Sequence, residues 1–318
     1  MIDTLCKTEE QPPLLEVRNL SVSFVQYEKG LRQRHLNPIR NLSLDLKEGE
    51  ILALVGSSGS GKSLLAHSIL GILPPNGSVT GEIYFRGKAL TKANQKKLRG
   101  KEITLIPQSV NYLDPLMKVG KQVRYTAGEG EGKDVQESLF QRFHLPQEAG
   151  EKYPFQLSGG MIRRVLISTA ISGGAHLIIA DEPTPGLHPD ALRKVMKHLR
   201  ELADEGRGIL LITHDLTAAI SIADRIGVLY AGTTLEIAEA GDFSGTGQAL
   251  RHPYTKALWR ALPENEFLPL PGEQPAETSV NQGCPFAPRC PMVTAPCLRE
   301  MPDWTELGQG KVRCIHAT

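Results

Sequence analysis

The chain has 318 residues, of which 40% are hydrophobic and 22% charged, and its net charge is +1. This is enough for one large domain with its own core plus an appendage, and a charge so close to zero provides no basic field for nucleic acid. No apolar run reaches the roughly 18 residues that a membrane span needs, and the N-terminus lacks the pattern of a secretory signal. The composition therefore favours a globular protein that neither spans a membrane nor binds nucleic acid.

The first predicted elements are antiparallel strands. Leu14–Phe24 and Ile39–Leu46 alternate apolar and polar residues, which is typical of strands with one buried face. We expect them at the front of the core.

A phosphate-binding loop follows. Gly56–Ser63 reads GSSGSGKS and fits the pattern G-x-x-x-x-G-K-[ST]. It lies between an apolar strand, Ile51–Val55, and the first turns of a helix, Ser63–Leu70, so that backbone N–H groups and the helix dipole point at phosphate. Lys62 is predicted to reach the β- and γ-phosphates and the Ser63 hydroxyl to ligate Mg²⁺. The other residues predicted to bind nucleotide here are Gly56, Ser57, Ser58, Gly59, Ser60, Gly61 and Leu64.

A pair of acidic residues ends a later strand. Leu177–Ala180 is apolar and leads into Asp181 and Glu182. The carboxyl end of such a strand lies beside the phosphate loop in an open α/β sheet. We expect Asp181 to hold the Mg²⁺ shell and Glu182 to polarise the attacking water. Taken alone, the pair would equally fit a solvated strand end.

Two single polar residues also follow apolar runs. Gln108 comes after Ile103–Pro107 and is predicted to contact Mg²⁺ or water. His214 comes after Ile209–Thr213 and is predicted to hydrogen-bond the γ-phosphate. A lone Gln or His after a strand is more often structural, so these two depend on their position relative to the other motifs.

The segment from about Val110 to Leu157 has no strong strand pattern and is predicted to be a helical subdomain, with Gly128–Lys133 (GEGEGK) as an exposed loop. It ends in LSGGM at Leu157–Met161. There Ser158, Gly159 and Gly160 are expected to open a helix over Met161–Ser172, and a further helix is expected over Asp190–Asp204.

With GSSGSGKS, LSGGM and LIIADEP on one chain, the sequence resembles the ATPase subunits of ATP-binding-cassette (ABC) transporters, and within them the oligopeptide/dipeptide/nickel importer branch. The resemblance implies an α/β P-loop NTPase fold: a RecA-like core with an antiparallel β-subdomain, and a helical subdomain at about 110–165. It implies an ATPase domain over 1–241 and a small Cys-rich C-terminal extension over 242–318. In family terms Gln108 is the Q-loop, His214 the switch histidine and Phe24 the aromatic that stacks on adenine. Tyr27 competes for the last role, and Phe24 also fits a core position.

Two segments depart from the family pattern. His188 stands where the D-loop usually has Asp, and Ile162-Arg163-Arg164 stands where Arg-Gln-Arg is usual. Harmless drift, one degenerate site in a heterodimer, or a lineage with its own interface chemistry would each explain this. Since Glu182 and His214 are present, we expect this chain's own site to hydrolyse ATP, and the altered signature to weaken the site that it completes on a partner.

The sequence changes character beyond Gly241. Arg251–Leu258 resembles a segment of the peptide/nickel importers, and a Pro-rich linker over Pro263–Pro275 follows. Four of the five cysteines then come near the C-terminus, and the fifth is Cys6; the four are Cys284, Cys290, Cys297 and Cys314. A disulfide staple is disfavoured without a signal peptide, which leaves metal ligation or inert or redox-paired thiols. The motif around Cys284 and Cys290 resembles the oligopeptide-permease cysteine motif. The resemblance implies a [4Fe–4S] cluster in preference to zinc.

The resemblance implies an ATP- and Mg²⁺-dependent subunit of an importer of peptides, nickel or metal chelates, peripheral on the cytoplasmic membrane face. Its implied partners are two transmembrane permease subunits, a second ABC ATPase that is a paralogue, and an extracytoplasmic substrate-binding protein. Alternatives are a non-transport ABC ATPase acting on nucleic acid or the ribosome, and an exporter. The chain has neither the inserted coiled coil nor the paired cassettes usual in the former, and the cysteine motif disfavours the latter.

Overall fold

The computed structural model describes residues 12–27, 33–57, 59–128, 132–184, 188–274 and 282–317. Their strands are β1 (Leu15–Tyr27), β2 (Gln33–Leu46), β3 (Ile51–Val55), β4 (Gly77–Phe85), β5 (Lys88–Ala89), β6 (Ile103–Ile106), β7 (Leu177–Asp181), β8 (Gly208–Thr213), β9 (Arg225–Tyr230), β10 (Thr233–Glu239), β11 (Thr305–Leu307) and β12 (Gly310–Val312). Their α-helices are α1 (Lys62–Leu70), α2 (Lys92–Leu98), α3 (Val119–Ala127), α4 (Gly132–Arg142), α5 (Gly159–Ile171), α6 (Pro189–Asp204), α7 (Leu216–Ile222), α8 (Pro253–Arg260) and α9 (Ala295–Arg299).

The central sheet has the strand order β11-β12-β10-β9-β3-β8-β7-β6. The strands β9, β3, β8, β7 and β6 run parallel, whereas β10, β12 and β11 pair antiparallel. Every residue of β3, β7 and β8 is buried, as expected for parallel strands covered on both faces. The predicted strands are therefore confirmed, and the segments that follow β3, β6, β7 and β8 meet at one edge of the sheet.

A second sheet, with the order β2-β1-β4-β5, is antiparallel. Apart from Leu14, the predicted alternation over Leu14–Phe24 and Ile39–Leu46 falls within β1 and β2, which are longer than the apolar pattern indicated. Their buried residues share one core cluster with Leu52 and Leu54 of β3. The second sheet thus packs against the strand that leads into the phosphate loop.

The segment between β6 and β7 is helical, as predicted, and consists mainly of α3, α4 and α5. The predicted exposed loop Gly128–Lys133 is only partly right. Gly132 and Lys133 belong to α4, and residues 129–131 lie outside the described part. Helix α5 begins at Gly159 rather than Met161, because the Ser158 side chain caps it by accepting a hydrogen bond from Met161 N at 3.3 Å.

The C-terminal residues are built onto the central sheet. The hairpin β11–β12 pairs with β10 through Glu236↔Val312 and Ile237↔Lys311. Phe286 is fully buried, with its ring centroid 5.5 Å from that of Tyr230 in β9 and 5.3 Å from that of Tyr254 in α8. None of the helices in the described ranges is long and apolar enough to cross a membrane.

Candidate active site

The phosphate loop joins β3 to α1, and two of its glycines are sterically required. A Cβ on Gly56 would lie 2.6 Å from the Leu229 carbonyl oxygen. Gly61 has φ +94°, and a Cβ there would lie 2.7 Å from the Pro38 oxygen. These glycines allow the loop to run close to β9 and to the chain before Ile39. Ser58 lies outside the described residues, while Ser57 and Gly59 are exposed and Ser60 is buried.

Lys62 is folded back onto this loop. Its ammonium donates to Gly56 O at 2.7 Å, to Ser57 O at 2.9 Å and to Ser60 Oγ at 3.4 Å. Burial lowers the pKa of Lys62, and the nearby Glu182 and Asp181 carboxylates partly offset this. The Lys62 ammonium therefore binds carbonyl oxygens of the loop, and it can exchange them for phosphate oxygens when nucleotide binds.

Asp181, at the end of β7, is buried with 5% exposure. Burial raises the pKa of Asp181, and Glu182 adds to the rise, whereas a hydrogen bond with the Ser63 side chain counters it. Within the described part of the chain, Asp181 Oδ1 has no hydrogen-bond partner. A buried carboxylate oxygen without a donor, beside a hydroxyl at the start of α1, is an oxygen pair suited to a hard divalent cation.

Glu182 lies close to His214. Its Oε2 is 2.6 Å from His214 Nδ1, although the two residues follow different strands. Glu182 N donates to Ile212 O at 2.8 Å, and the residue has φ +48°, which is unusual for a side chain other than glycine. This strained backbone conformation occurs at the residue whose carboxylate contacts His214, and such strain is typical of functional sites.

Gln108 follows β6, and its side chain is exposed. Its backbone is fixed by Arg163 of α5, whose Nη1 donates to Gln108 O at 2.8 Å and to Pro107 O at 3.1 Å. Arg163 is 5% exposed. From the sequence, Arg163 was noted only as a departure from the family pattern. Its contact with the backbone at Gln108, which joins the signature helix to that loop, was not predicted. An Arg on the apolar face of a predicted helix was the available signal.

The signature residues lie on the surface. Ser158 and Gly159 are exposed, and a Cβ on Gly159 or Gly160 would meet no described atom within 4 Å. Contacts within the described chain therefore do not require glycine at either position. Of the D-loop, residues 185–187 lie outside the described ranges, and the exposed His188 has its Nδ1 3.9 Å from Asp190 Oδ2.

The two aromatic candidates for adenine differ in their surroundings. Phe24 is half-buried and packs closely enough on Gly77 that a Cβ there would lie 2.8 Å from its ring. Tyr27 is 67% exposed, and its hydroxyl accepts from Gln33 Nε2 at 3.2 Å.

The four C-terminal cysteines are free thiols that line one small cavity, together with His252 and His316. Burial raises the pKa of Cys284 to about 11. His252 Nε2 lies 3.9 Å from Cys284 Sγ, and His316 Nε2 lies 3.6 Å from Cys297 Sγ. Among the described residues, no group of three or more His, Cys, Asp or Glu is close enough to hold one metal ion. Cys6 lies outside the described part.

One edge of the central sheet carries the phosphate loop, the Asp181–Glu182 pair, Gln108 and His214. This arrangement defines a P-loop ATPase, and the cassette signature lies on its helical subdomain. The family model for "ABC transporter" matches residues 39–185, and that for "Oligopeptide/dipeptide transporter, C-terminal region" matches residues 236–297. The chain belongs to the ABC transporter ATPases, in the branch that carries this C-terminal region. Like its family, it is an ATP-hydrolysing enzyme that uses ATP and Mg²⁺.

Named relatives match over nearly the whole chain. The oligopeptide transport ATP-binding protein OppD of Haemophilus influenzae is 34% identical over 95% of this chain and 96% of its own length. The dipeptide transport ATP-binding protein DppD of Escherichia coli is 35% identical with the same coverages. Among solved structures, the ATP-binding cassette MJ0796, a dimer bound to ADP and Pi, is 26% identical with a TM-score of 0.62 and covers 71% of this chain and 98% of its own.

Proposed function

We propose that this chain is the ATP-hydrolysing subunit of a peptide importer, peripheral on the cytoplasmic face of the membrane. The observation that carries the proposal is the presence, in one chain, of the ATPase site and the matched oligopeptide/dipeptide C-terminal region. The relatives above are named for oligopeptide and dipeptide transport, which favours peptides over nickel. The implied partners are two permease subunits and a substrate-binding protein.

The proposed roles in hydrolysis follow from the geometry. Lys62 exchanges its carbonyl contacts for the β- and γ-phosphates, and the loop from Gly56 to Leu64 binds phosphate through backbone N–H groups. Ser63 and Asp181 hold Mg²⁺, which supplies charge neutralisation for the phosphates. Glu182 takes the proton of the attacking water. His214, through its contact with Glu182, holds that carboxylate in place and senses the γ-phosphate.

Three further roles complete the proposed site. Gln108 reports the state of the γ-phosphate to the helical subdomain through Arg163 and α5. Phe24 provides the adenine-stacking face. Ser158 and Gly159 are exposed and Gly160 is half-buried at the start of α5, whose first backbone N–H groups we propose bind the nucleotide of a second cassette. We propose that this second cassette is a paralogue.

We also propose that Cys284, Cys290, Cys297 and Cys314 ligate a [4Fe–4S] cluster. Four unpaired thiols around one cavity support it. A [4Fe–4S] cluster takes one thiolate at each of its four irons, which matches the number of cysteines around this cavity. Since burial raises the pKa values of the Cys284, Cys290 and Cys314 thiols, binding of a cluster through their thiolates would release protons.

Transport is tested by deleting the gene in its own organism and measuring the uptake of labelled dipeptides, longer peptides and nickel. Wild type should restore peptide uptake, and Glu182→Gln, a matched variant that keeps the side-chain shape, should not. Peptide uptake unaffected by the deletion would overturn the proposal, whether or not nickel uptake is lost.

The cluster is tested on anaerobically purified wild type, Cys290→Ser and, as a matched control, Cys6→Ser. Iron and sulfide near four per chain, with broad visible absorption that Cys290→Ser loses and Cys6→Ser keeps, would support it. Stoichiometric zinc, or protein without metal, would contradict it.

A further inference from the structure

The residues before the cysteine region form a strap that reaches the phosphate loop. We define the C-terminal strap as residues 268–274. It starts where Leu268 N donates to Arg260 O at 3.2 Å, and it ends at Gln274, whose Oε1 accepts a hydrogen bond from the Ser57 hydroxyl. Ser57 and Gln274 are 217 residues apart in sequence. A residue of the C-terminal extension therefore touches the second position of the phosphate loop.

Arg289 holds the strap in this place. Its guanidinium donates to three successive strap carbonyls, those of Leu270 at 3.1 Å, Pro271 at 2.9 Å and Gly272 at 2.8 Å. Its Nη1 also donates to the Tyr230 hydroxyl at 3.1 Å, at the end of β9. A planar guanidinium can bind several carbonyls at once, which an ammonium cannot do with the same geometry. The strap is thus fixed to the central sheet two residues before Gln274.

We propose that Gln274 is a positioning residue of the ATP site and that Arg289 sets it in place. The hydrogen bond uses the Ser57 side chain and so does not occupy a backbone N–H group of the loop. The Ser57 carbonyl is held by Lys62, and that contact must break when Lys62 moves to the nucleotide. Gln274 keeps Ser57 anchored during this exchange, so less conformational entropy is lost when the loop closes on ATP.

Because Arg289 precedes Cys290 directly, the same chain of contacts links the cysteine region to the ATP site.

The test is an equilibrium titration of ATP·Mg²⁺ by calorimetry, on full-length protein carrying Glu182→Gln to prevent hydrolysis. Gln274→Ala should raise the Kd by about 2- to 10-fold, the size expected for one net hydrogen bond. The matched control is Glu273→Ala at the exposed neighbouring strap position, which should leave the Kd unchanged. In the chain that retains Glu182, the Gln274→Ala defect should appear in KM rather than in kcat.

A double-mutant cycle separates positioning from an unrelated effect. Ser57→Ala should raise the Kd to a similar extent, and adding Gln274→Ala should then change it no further. Arg289→Lys should weaken ATP binding like Gln274→Ala, with thermal unfolding as the check that it folds. Tighter binding in Gln274→Ala would overturn the proposal. So would a Kd equal to that of Glu273→Ala, or independent effects that multiply in the double variant.

Discussion

Arg163 provides the sharpest test of how the signature helix controls the ATP site. We expect Arg163→Met, which keeps the length of the side chain, to lower both stability and kcat. The guanidinium is 5% exposed and donates to Pro107 O and Gln108 O. Hydrogen bonds from a charged donor contribute about 1.5–3 kcal/mol each to stability. Removing the buried charge also removes its desolvation penalty, which offsets part of the loss. We therefore expect a net loss of about 1–3 kcal/mol in the free energy of unfolding.

The functional loss should exceed what stability explains, because Gln108 loses its anchor to α5. A displacement of about 1 Å in a positioned group can cost on the order of 100-fold in rate, so we expect kcat to fall by roughly 10- to 100-fold. The assay is steady-state phosphate release by the full-length chain at saturating ATP, at a temperature where urea titration shows the variant to be folded.

Arg164→Met is the matched control. Arg164 is also partly buried and also donates to carbonyls, those of Phe143 at 3.1 Å, His144 at 2.9 Å and Gly160 at 3.1 Å, but to none near Gln108. It should lose stability similarly and keep most of its kcat. If the two variants lose kcat equally, Arg163 stabilises the fold only, and the proposed route from Gln108 to the signature helix is wrong.

Four other variants, one of them with a matched control, address the site and the extension. Burial raises the pKa of Asp181 in the folded protein above its value in the unfolded chain, so stability of the nucleotide-free protein falls as the pH rises from the unfolded to the folded pKa. We therefore expect Asp181→Asn to raise the stability at neutral pH by about 1 kcal/mol. The same variant should lose the stabilisation that Mg²⁺·ATP gives to wild type. His214→Ala should lower kcat by about 100-fold and Glu182→Gln by more, and a wild-type rate in either would contradict their roles. Glu236 accepts from Arg251 N at 2.7 Å and His252 N at 2.8 Å with separate oxygens, so Glu236→Gln should cost about 1–3 kcal/mol in urea unfolding, whereas the exposed Glu306→Gln should cost nothing measurable.

The strands and the order of the motifs could be predicted because the core signal is strong and local. Ile51–Val55 and Gly208–Thr213 are uninterrupted apolar or small-residue runs, and each is followed at once by a polar site residue or loop. Since parallel strands place their carboxyl ends together, the convergence of the phosphate loop, Asp181 and His214 followed without any knowledge of contacts.

The sequence could not predict contacts that depend on long-range packing. The distance between Glu182 and His214, the positive φ of Glu182, and the grip of Arg163 on Gln108 each require the relative placement of two elements. The contact of Arg163 could not be predicted for this reason, since its local context shows only a departure from a pattern and its partners are backbone oxygens. Every residue has a backbone carbonyl, so the residue types do not show which carbonyl accepts a given side-chain hydrogen bond.

An ionic network connects the C-terminal residues with strands of the central and second sheets. Lys311 of β12 lies 2.5 Å from Asp45 of β2, Asp45 lies 2.8 Å from Arg225 of β9, and Arg225 lies 2.5 Å from Glu50, the residue before β3. Burial alone would raise the pKa of Asp45, but Lys311 and Arg225 lower it below its usual value. Removing Lys311 would leave Asp45 with one cation for a carboxylate that burial already disfavours. The composition of the sequence changes at Gly241. The ion pairs nevertheless connect Lys311, beyond this point, with Glu50, which directly precedes the strand that leads into the phosphate loop.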